Sequence, residues 1–212
     1  PSKQLTIIAV ERDCSMTDFF RLAPKIKSRQ HYVVFSEGLQ DKLSEIIWEN
    51  PNTAPIDARW KILGTAQHGI TKKIAEEIDY LPAFVSIPLF SQRASKIILE
   101  ECDGIDFIPC CILVDGAQFD FFIGRIHQFL PLINHEASNQ AERLSPLAPI
   151  IINSEIKRSF FLARDTEDRT KIICSNEFRE LCIERKLNID FHKFEDLENW
   201  LKRQPPDIIN KI

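Results

Sequence analysis

The chain has 212 residues, of which 44% are hydrophobic and 27% charged, and its formal net charge is −4. This ordinary globular composition excludes a fibrous or largely disordered protein, because a chain of this length buries roughly 70% of its unfolded surface without disulfides or metals. The halves before and after residue 106 hold 13 basic and 15 acidic residues, and 14 and 16, so neither is a basic nucleic-acid-binding module.

The first third of the chain predicts alternating strands and helices. Runs of apolar and β-branched residues predict strands at 5–10 and 31–35. Apolar residues at helical spacing predict helices at 17–27, 39–47 and 71–81. In the second of these helices, the residues that form the apolar face are Leu39, Leu43, Ile46 and Ile47.

Two prolines in the middle of the chain indicate where it could divide. Pro82 and Pro88 bracket a short predicted strand at 83–87. We therefore assign residues 1–82 to an N-terminal α/β portion and residues 83–212 to an α+β portion. One continuous domain accommodates the same pattern, so the sequence leaves both arrangements open.

The segment after this boundary predicts a capped helix and a β-hairpin. Ser91 is the predicted N-cap of the helix, and Gly104 is placed to end it in the left-handed conformation. A buried strand follows at 107–114. Asp115-Gly116 is a strong signal for a type I′ turn, which leads into a returning strand at 119–123.

The last third of the chain predicts a loop, a second hairpin and a second capped helix. Residues 134–149 are polar and contain proline, which favours a loop. Strands at 159–163 and 171–174 form the predicted hairpin around Asp165–Asp168. Ser175 is the predicted N-cap of the last helix.

The two serine-capped segments resemble each other at an offset of 84 residues. Each predicts a strand, a serine N-cap, a helix that ends at a residue able to adopt the left-handed conformation, and then the residues Ile-Asp-Phe. The matching positions are Ser91 and Ser175, Glu100 and Glu184, Gly104 and Asn188, and 105–107 and 189–191. A duplicated strand–helix–strand unit and a coincidence of shared capping residues both explain the match. The whole pattern predicts an α+β fold, with a mixed or antiparallel sheet and packed helices.

The cysteines and the apolar runs indicate a cytoplasmic protein. None of the six cysteines forms a C-x-x-C motif, so we interpret them as buried thiols in a reducing compartment. The apolar stretch Leu5–Val10 is too short for a secretory signal, and Phe107–Val114 is too short to span a membrane. The sequence predicts no cofactor and no metal site.

One short motif offers an enzymatic alternative. The sequence lacks the common catalytic and nucleotide-binding motifs, and its histidines show no metal-ligand spacing. Glu155-Ile156-Lys157 follows an apolar run, and such a pair occurs in metal-dependent nucleases, where the glutamate binds a divalent ion and the lysine stabilises phosphate. Asp120 is the plausible second carboxylate. A nuclease or other hydrolase is therefore the alternative to a protein without catalysis.

Two acidic clusters are candidate partner-binding sites. The first lies at the end of a predicted helix, and the second lies near the C-terminus with an aromatic residue that could anchor a partner. They consist of Glu100, Glu101 and Asp103, and of Glu195, Asp196, Glu198 and Trp200. A solvated helix face explains either cluster equally well.

Four segments of the chain resemble a known class of proteins. They read FVSIPLFSQRASKIILEECDGIDFIPC (84–110), FDFFIGRIHQFLPLINHEAS (119–138), FFLARD (160–165) and KIICSNEFRELCIERKLNIDF (171–191). This part of the chain resembles the immunity proteins of bacterial polymorphic toxins, which are small cytoplasmic antidotes encoded beside contact-dependent or type VI secreted effectors.

The resemblance implies a binding protein that is not an enzyme. Its partner would be the toxin domain of a cognate effector, rather than a nucleic acid or a membrane, and it would neutralise the toxin by covering the catalytic cleft. Acidic patches would suit a basic toxin, and against a nuclease they could imitate phosphate. A scaffold or regulatory module with no toxin partner is the remaining alternative.

Overall fold

The structure is a computed structural model that describes residues 18–26, 33–49, 62–67, 69–144, 148–153, 156, 159–194 and 202. Within these ranges the protein has eleven strands and five α-helices, which confirms the predicted α+β class. No helix in the described part has the length and the apolar character needed to cross a membrane.

Strands outnumber helices in the described part of the chain. In chain order, the strands are β1 (Phe19–Pro24), β2 (Val33–Phe35), β3 (Leu63–Ala66), β4 (Tyr80–Ala83), β5 (Ile87–Ser91), β6 (Ile105–Val114), β7 (Ala117–Ile126), β8 (Phe129–Leu130), β9 (Leu162–Asp165), β10 (Ile172–Ser175) and β11 (Ile189–Lys193). The helices are α1 (Glu37–Ser44), α2 (Lys72–Glu77), α3 (Gln92–Glu101), α4 (His135–Leu144) and α5 (Asn176–Glu184). A π-helical turn (Glu45–Glu49) continues α1, and a 3₁₀ turn (Phe84–Ser86) joins β4 to β5.

The strands form a closed barrel and a second, open sheet. The barrel has the order β2-β3-β6-β7-β5-β4, and the open sheet has the order β11-β1-β10-β9-β8. Parallel pairs join β2 to β4, β3 to β6, and β8 to β9, and the other neighbours are antiparallel. Strand β4 contains residues 82 and 83, so the barrel draws strands from both sides of the predicted division.

The interior of the barrel follows from alternation along its longest strands. Every second residue near the end of β6 is buried, from Ile108 through Cys110 and Ile112 to Val114. Leu43 of α1 and Ile47 of the π-helical turn pack into this interior, and Ile46 is buried as well, which confirms the predicted apolar face of that helix.

Three local predictions are confirmed by their hydrogen bonds and dihedral angles. The Ser91 hydroxyl accepts the N–H of Ala94 at 3.1 Å, and the Ser175 hydroxyl accepts the N–H of Phe178 at 3.3 Å, so both serines are N-caps. Asp115 and Gly116 have φ angles of 47° and 78°, as a type I′ turn requires. The second hairpin also forms, from β9 and β10.

The predicted helix at 17–27 is wrong, because residues Phe19–Pro24 form strand β1. In this strand Phe20 and Leu22 are buried while Arg21 between them is exposed, which is the alternation of a strand. β1 lies between β10 and β11 and pairs with both. Pairing with two distant strands therefore decided the conformation of this segment.

Other expectations need smaller corrections. The predicted loop at 134–149 is wrong over His135–Leu144, which form α4, and the Asn134 side chain caps this helix by accepting the N–H of Ala137 at 2.9 Å. The predicted strand at 83–87 is instead the 3₁₀ turn between two strands, and the predicted helix at 71–81 ends at Glu77. The strand predicted at 5–10 lies outside the described residues.

The internal repeat is present in the fold as two split strand–helix–strand units. In the first unit, β5 and β6 lie on either side of β7 and are connected through α3. In the second, β10 and β11 lie on either side of β1 and are connected through α5. The central strand is antiparallel to both of its neighbours in each unit.

The registers of the two units also match. The pairs at the helix cap and after the helix are Ser91–Phe121 and Ile105–Ile126 in one unit, and Ser175–Phe19 and Ile189–Pro24 in the other. The paired positions on the central strand are five residues apart in both units. Asp-Phe-Phe also occurs in both, at 120–122 inside β7 and at 18–20 around the start of β1. The offset of 84 residues therefore corresponds to a structural repeat.

The helix stops of the two units differ. Gly104 has the predicted left-handed conformation, with a φ of 79°, but it does not end α3, because the helix already stops at an extended Cys102. The left-handed residue after α5 is Lys186 with a φ of 54°, and not Asn188. The N–H of Leu187 donates to the carbonyl of Cys182 at 2.8 Å, which completes a Schellman motif around Lys186. Asn188 instead donates its backbone N–H to Asp79, at 2.6 Å.

Three apolar clusters stabilise the fold. The first fills the barrel, and the third lies between the β8–α4 connection and the open sheet. The second is shared by the two units, because it joins Phe90 and Ile98 from one to Phe178 and Cys182 from the other. The two units therefore share one core.

We predict that Gly124→Ala destabilises the protein, because a Cβ atom at this position in β7 would lie 2.8 Å from the Phe90 ring. The ring is fully buried and packs edge-on against Phe107, so it has little room to move. The expected loss is about 1 to 3 kcal/mol in the free energy of unfolding, measured by urea titration.

Gly38→Ala is the matched control, because a Cβ atom there has nothing within 4 Å. Gly38 lies in α1, so this change should be neutral or should stabilise the protein by up to about 1 kcal/mol. Equal stabilities for the two variants would contradict the close packing at Gly124.

Candidate functional site

Helices α3 and α5 pack against one shared core and present their outer sides to solvent. Ala94 and Ile98 of α3 belong to the same buried cluster as Phe178 and Cys182 of α5. These residues occupy matching positions in the two units, since Ala94 matches Phe178 and Ile98 matches Cys182 at the offset of 84 residues. The repeat therefore determines which sides of the two helices are left exposed.

An ion pair joins matching positions of the two units. Arg185 and Glu101 are 84 residues apart, and the Arg185 guanidinium donates to the Glu101 carboxylate. Contact between matching positions is typical of a two-fold-like arrangement. The pair marks a place where the two units meet. Because both side chains are partly exposed, it adds at most about 1 kcal/mol to the free energy of unfolding.

An exposed aliphatic residue lies two positions before each member of this ion pair. Leu99 is 59% exposed and Ile183 is 51% exposed. Each follows its serine cap by eight residues, so the two also match in the repeat. In the part of the chain that the structure describes, the only other exposed large hydrophobic residues are Leu63 and Phe84.

Charged residues make up most of the remaining exposed surface of the two helices. We call the exposed residues of α3, of α5 and of the first positions after each helix the paired-helix face. Besides Leu99, Ile183 and the Glu101–Arg185 ion pair, its charged members are the carboxylates Glu100, Asp103, Glu177, Glu180 and Glu184 and the cations Arg93, Lys96 and Lys186. With the ion pair included, the two helices expose six carboxylates and four cations.

The structure locates one of the two predicted acidic clusters. Glu100, Glu101 and Asp103 are exposed at the C-terminal end of α3, on the paired-helix face. Glu195, Asp196, Glu198 and Trp200 lie outside the described residues. Sequence reasoning missed Ile183, although the same 84-residue offset that matches the serines also matches it to Leu99.

A cavity of about 520 Å³ lies between α2, the start of α3 and β7. Its ionisable lining residues are Glu76, Glu77, Asp79, Arg93 and Asp120. The Ser91 hydroxyl donates to the Asp79 carboxylate at 2.5 Å, but no histidine is among the lining residues to act as a base towards the serine. Ser91 is therefore a helix cap, and its hydroxyl is held by the carboxylate beside it.

Asp79 connects both units through its carboxylate. It accepts hydrogen bonds from Ser91 and Arg93 at the start of α3 and from the Asn188 N–H before β11. Burial alone would raise the pKa of Asp79, but the hydrogen bonds from Arg93, Asn188 and Ser91 together hold it below the ordinary value of 3.8. The side chain is ionised at neutral pH, and all of its partners are structural.

Each histidine in the described ranges lies beside an aspartate. His135 Nε2 is 2.6 Å from the buried carboxylate of Asp165, which also accepts the backbone N–H groups of Leu132, Ile133, Glu167 and Asp168. The other pairs are His127 with Asp106 and His192 with Asp190. No group of three potential metal ligands occurs among these residues.

The described cysteines are free thiols with raised pKa values, and most are buried. Burial raises the pKa of Cys102 to about 12, and the carboxylates of Glu101 and Asp103 add to this effect. The partly exposed Cys111 donates its thiol to Asp120 at 3.5 Å, and its pKa is also raised. None of these thiols suits a nucleophilic role, which requires the thiolate.

Of the three residues of the enzymatic alternative, Asp120 lies in the described part of the chain. Asp120 is exposed on β7 opposite Cys111. Glu155 and Lys157 lie outside the described residues, so the hydrolase alternative stays a hypothesis.

Comparisons with known proteins found no matching family model and no match among curated protein sequences.

We predict that Asp79→Asn lowers the free energy of unfolding at pH 7 by about 2 to 3 kcal/mol, because Arg93 and the Asn188 N–H lose an ionised acceptor. The folded pKa lies below the unfolded one, so the carboxylate stabilises the protein above the unfolded pKa. This contribution is lost as the pH falls through the folded pKa. The gap between the two proteins should therefore be constant above about pH 5 and close in acid.

Urea titrations across this pH range provide the measurement. Glu76→Gln is the matched control, because it removes an exposed carboxylate that lines the same cavity. It should change stability by less than about 0.5 kcal/mol. A gap between wild type and Asp79→Asn that stays constant into strong acid would contradict the role assigned to the charge.

Proposed function

We propose that this chain is a non-catalytic immunity protein that binds a cognate bacterial toxin in the cytoplasm and neutralises it by covering its active site. The observation that carries the proposal is the paired-helix face. Both of its helices lie in the segments that resemble immunity proteins, and both expose an aliphatic residue at the matching position. Exposed aliphatic side chains among charged residues suit a protein contact, since interfaces combine apolar with polar surface.

The use of buried charged groups supports binding over catalysis. Asp79 and Asp165 accept hydrogen bonds mainly from backbone N–H groups and cap residues. The fully buried Arg164 donates to the carbonyls of Arg169 and Ser86, at 2.7 and 3.4 Å. These groups stabilise the fold, whereas a catalytic site needs ionisable groups that converge on a substrate.

Charge and thiol chemistry support the proposed partner and compartment. The chain has a net charge of −4, and the paired-helix face exposes six carboxylates and four cations, a balance that suits a toxin with a basic surface. The free thiols of the described cysteines agree with a reducing cytoplasm.

We predict that co-expression of this chain restores growth to cells that produce the toxin encoded beside its gene. The reason is that a bound antidote occludes the active site and lowers the concentration of free toxin. Colony formation provides the measurement, and size-exclusion chromatography of the two purified proteins should show a stable complex.

An unrelated protein of similar net charge is the control and should neither bind nor rescue. Continued growth arrest, together with separate elution of the two purified proteins, would reject the proposed function.

We predict that the purified chain has no nuclease activity. It should leave DNA and RNA intact in the presence of Mg²⁺, because we assign no catalytic role to its residues. Gel electrophoresis of the substrates provides the measurement. Cleavage that Glu155→Ala abolishes would favour the hydrolase alternative, and the exposed Glu136→Ala is the control.

A further inference from the structure

We infer that Arg164 forms a binding site for a small oxyanion, that is, for the phosphate or carboxylate group of a small ligand. This inference goes beyond the proposed function and does not depend on it. The observations that carry it, all among the described residues, are a buried guanidinium, the absence of a carboxylate partner and a hydrogen-bond donor without an acceptor.

Arg164 is a buried cation that no anion neutralises in the described part of the chain. Its side chain in β9 is fully buried, and its guanidinium donates to two backbone carbonyls and to no described carboxylate. Burial lowers the pKa of Arg164 to about 10, so the group is still charged at neutral pH. A buried charge without a counter-charge is costly, which makes this arginine a candidate for a ligand of opposite charge.

The carboxylate that follows Arg164 in the sequence is used elsewhere. Successive side chains of a strand point to opposite sides of the sheet, and Leu162 and Ala163 of β9 accordingly belong to different apolar clusters. The side chain of Asp165 therefore lies on the side opposite Arg164. There it accepts four backbone N–H groups and lies 2.6 Å from His135 Nε2, so it does not neutralise the guanidinium.

One edge of the Arg164 guanidinium is open to an anion. Nη1 donates to the carbonyl of Arg169 at 2.7 Å, but Nη2 is 3.4 Å from the carbonyl of Ser86, which is longer than a usual hydrogen bond. Nε has no hydrogen-bond partner among the described residues. Nε and Nη2 form one edge of the planar group, and two oxygens of a carboxylate or phosphate bind along such an edge.

A second buried donor without a partner belongs to the same group of contacts. In the described ranges, the only other such side-chain atom is Trp48 Nε1. The carbonyl of Trp48 accepts from Arg169 Nη1 at 2.6 Å, and the carbonyl of Arg169 accepts from Arg164. Arg169 also lies over the Phe129 ring, at 5.3 Å, and contacts no described carboxylate. Two arginines without a described counter-charge favour an anionic ligand here.

Burial limits the size of the ligand. Arg169 is exposed, whereas Arg164, which donates to its carbonyl, is fully buried. The turn that carries Arg169 therefore forms the outer wall of the site, and a ligand has to be small to fit behind it. Inorganic phosphate and acetate are suitable probes.

The test measures thermal unfolding of the full chain in phosphate, acetate and chloride at one pH and one ionic strength. Phosphate or acetate should raise the thermal midpoint above its value in chloride, because an anion that binds only the folded state stabilises that state. Calorimetric titration should give a Kd of about 1 mM or tighter for the stabilising anion. Arg164→Lys keeps the charge but removes the planar edge, so it should weaken binding at least about tenfold.

Arg143→Lys is the matched control, because Arg143 is exposed on α4, and this variant should bind as wild type. Nitrogen-15 NMR of the wild-type chain provides a measurement that does not depend on the folding of a variant. The stabilising anion should shift the Nε–H signal of Arg164, and the signal of Arg143 should stay in place.

The outcomes separate an anion site from a structural arginine. If Arg164 only stabilises the fold, Arg164→Lys should lower the midpoint equally in all three salts, and this result would overturn the inference. Equal wild-type midpoints in the three salts with an unmoved Arg164 signal would overturn it as well. Stabilisation by phosphate alone would assign a phosphate group, and stabilisation by acetate alone a carboxylate. No toxin is used, so a negative result leaves the proposed function standing.

Discussion

The arrangement of the two units depends on the hydrogen bonds that the carboxylate of Asp79 accepts from both of them. It is buried, and it binds the cap and first turn of α3 in one unit and the backbone before β11 in the other. The backbone N–H of Asp79 also donates to the carbonyl of Asn188, and the N–H of Ser91 donates to the carbonyl of Asp79. One residue just before β4 therefore holds the start of the helix in one unit against the backbone that follows the helix of the other.

This constraint determines which surface the protein presents. Because the two units share one core, α3 and α5 lie near each other with their matching residues in contact, as the Glu101–Arg185 ion pair shows. Leu99 and Ile183 are then exposed at matching positions of these two helices, although they are far apart in the sequence.

Local signals in the sequence predicted a large part of the fold. The serine caps, the Asp115-Gly116 turn and the long barrel strand were predicted from short-range hydrogen bonding and alternation, and the structure confirms them. The errors fall where partners are distant. Strand β1 has helix-like apolar spacing but pairs with β10 and β11 near the other end of the chain, and α4 follows a single asparagine cap within a polar stretch.

By itself, the sequence determined the fold class and the caps and turns, because these depend on interactions within a few residues. It also placed Glu100, Glu101 and Asp103 at the end of one helix, and it showed the 84-residue match while leaving duplication and coincidence both open. Only the tertiary structure decided that the two matching segments are units of one architecture, that they pack together through one core, and that Glu101 meets Arg185. The physical reason is that strand neighbours in a sheet and contacts between helices depend on which surfaces, distant in the sequence, bury each other. The spacing of residues within one segment does not specify those surfaces.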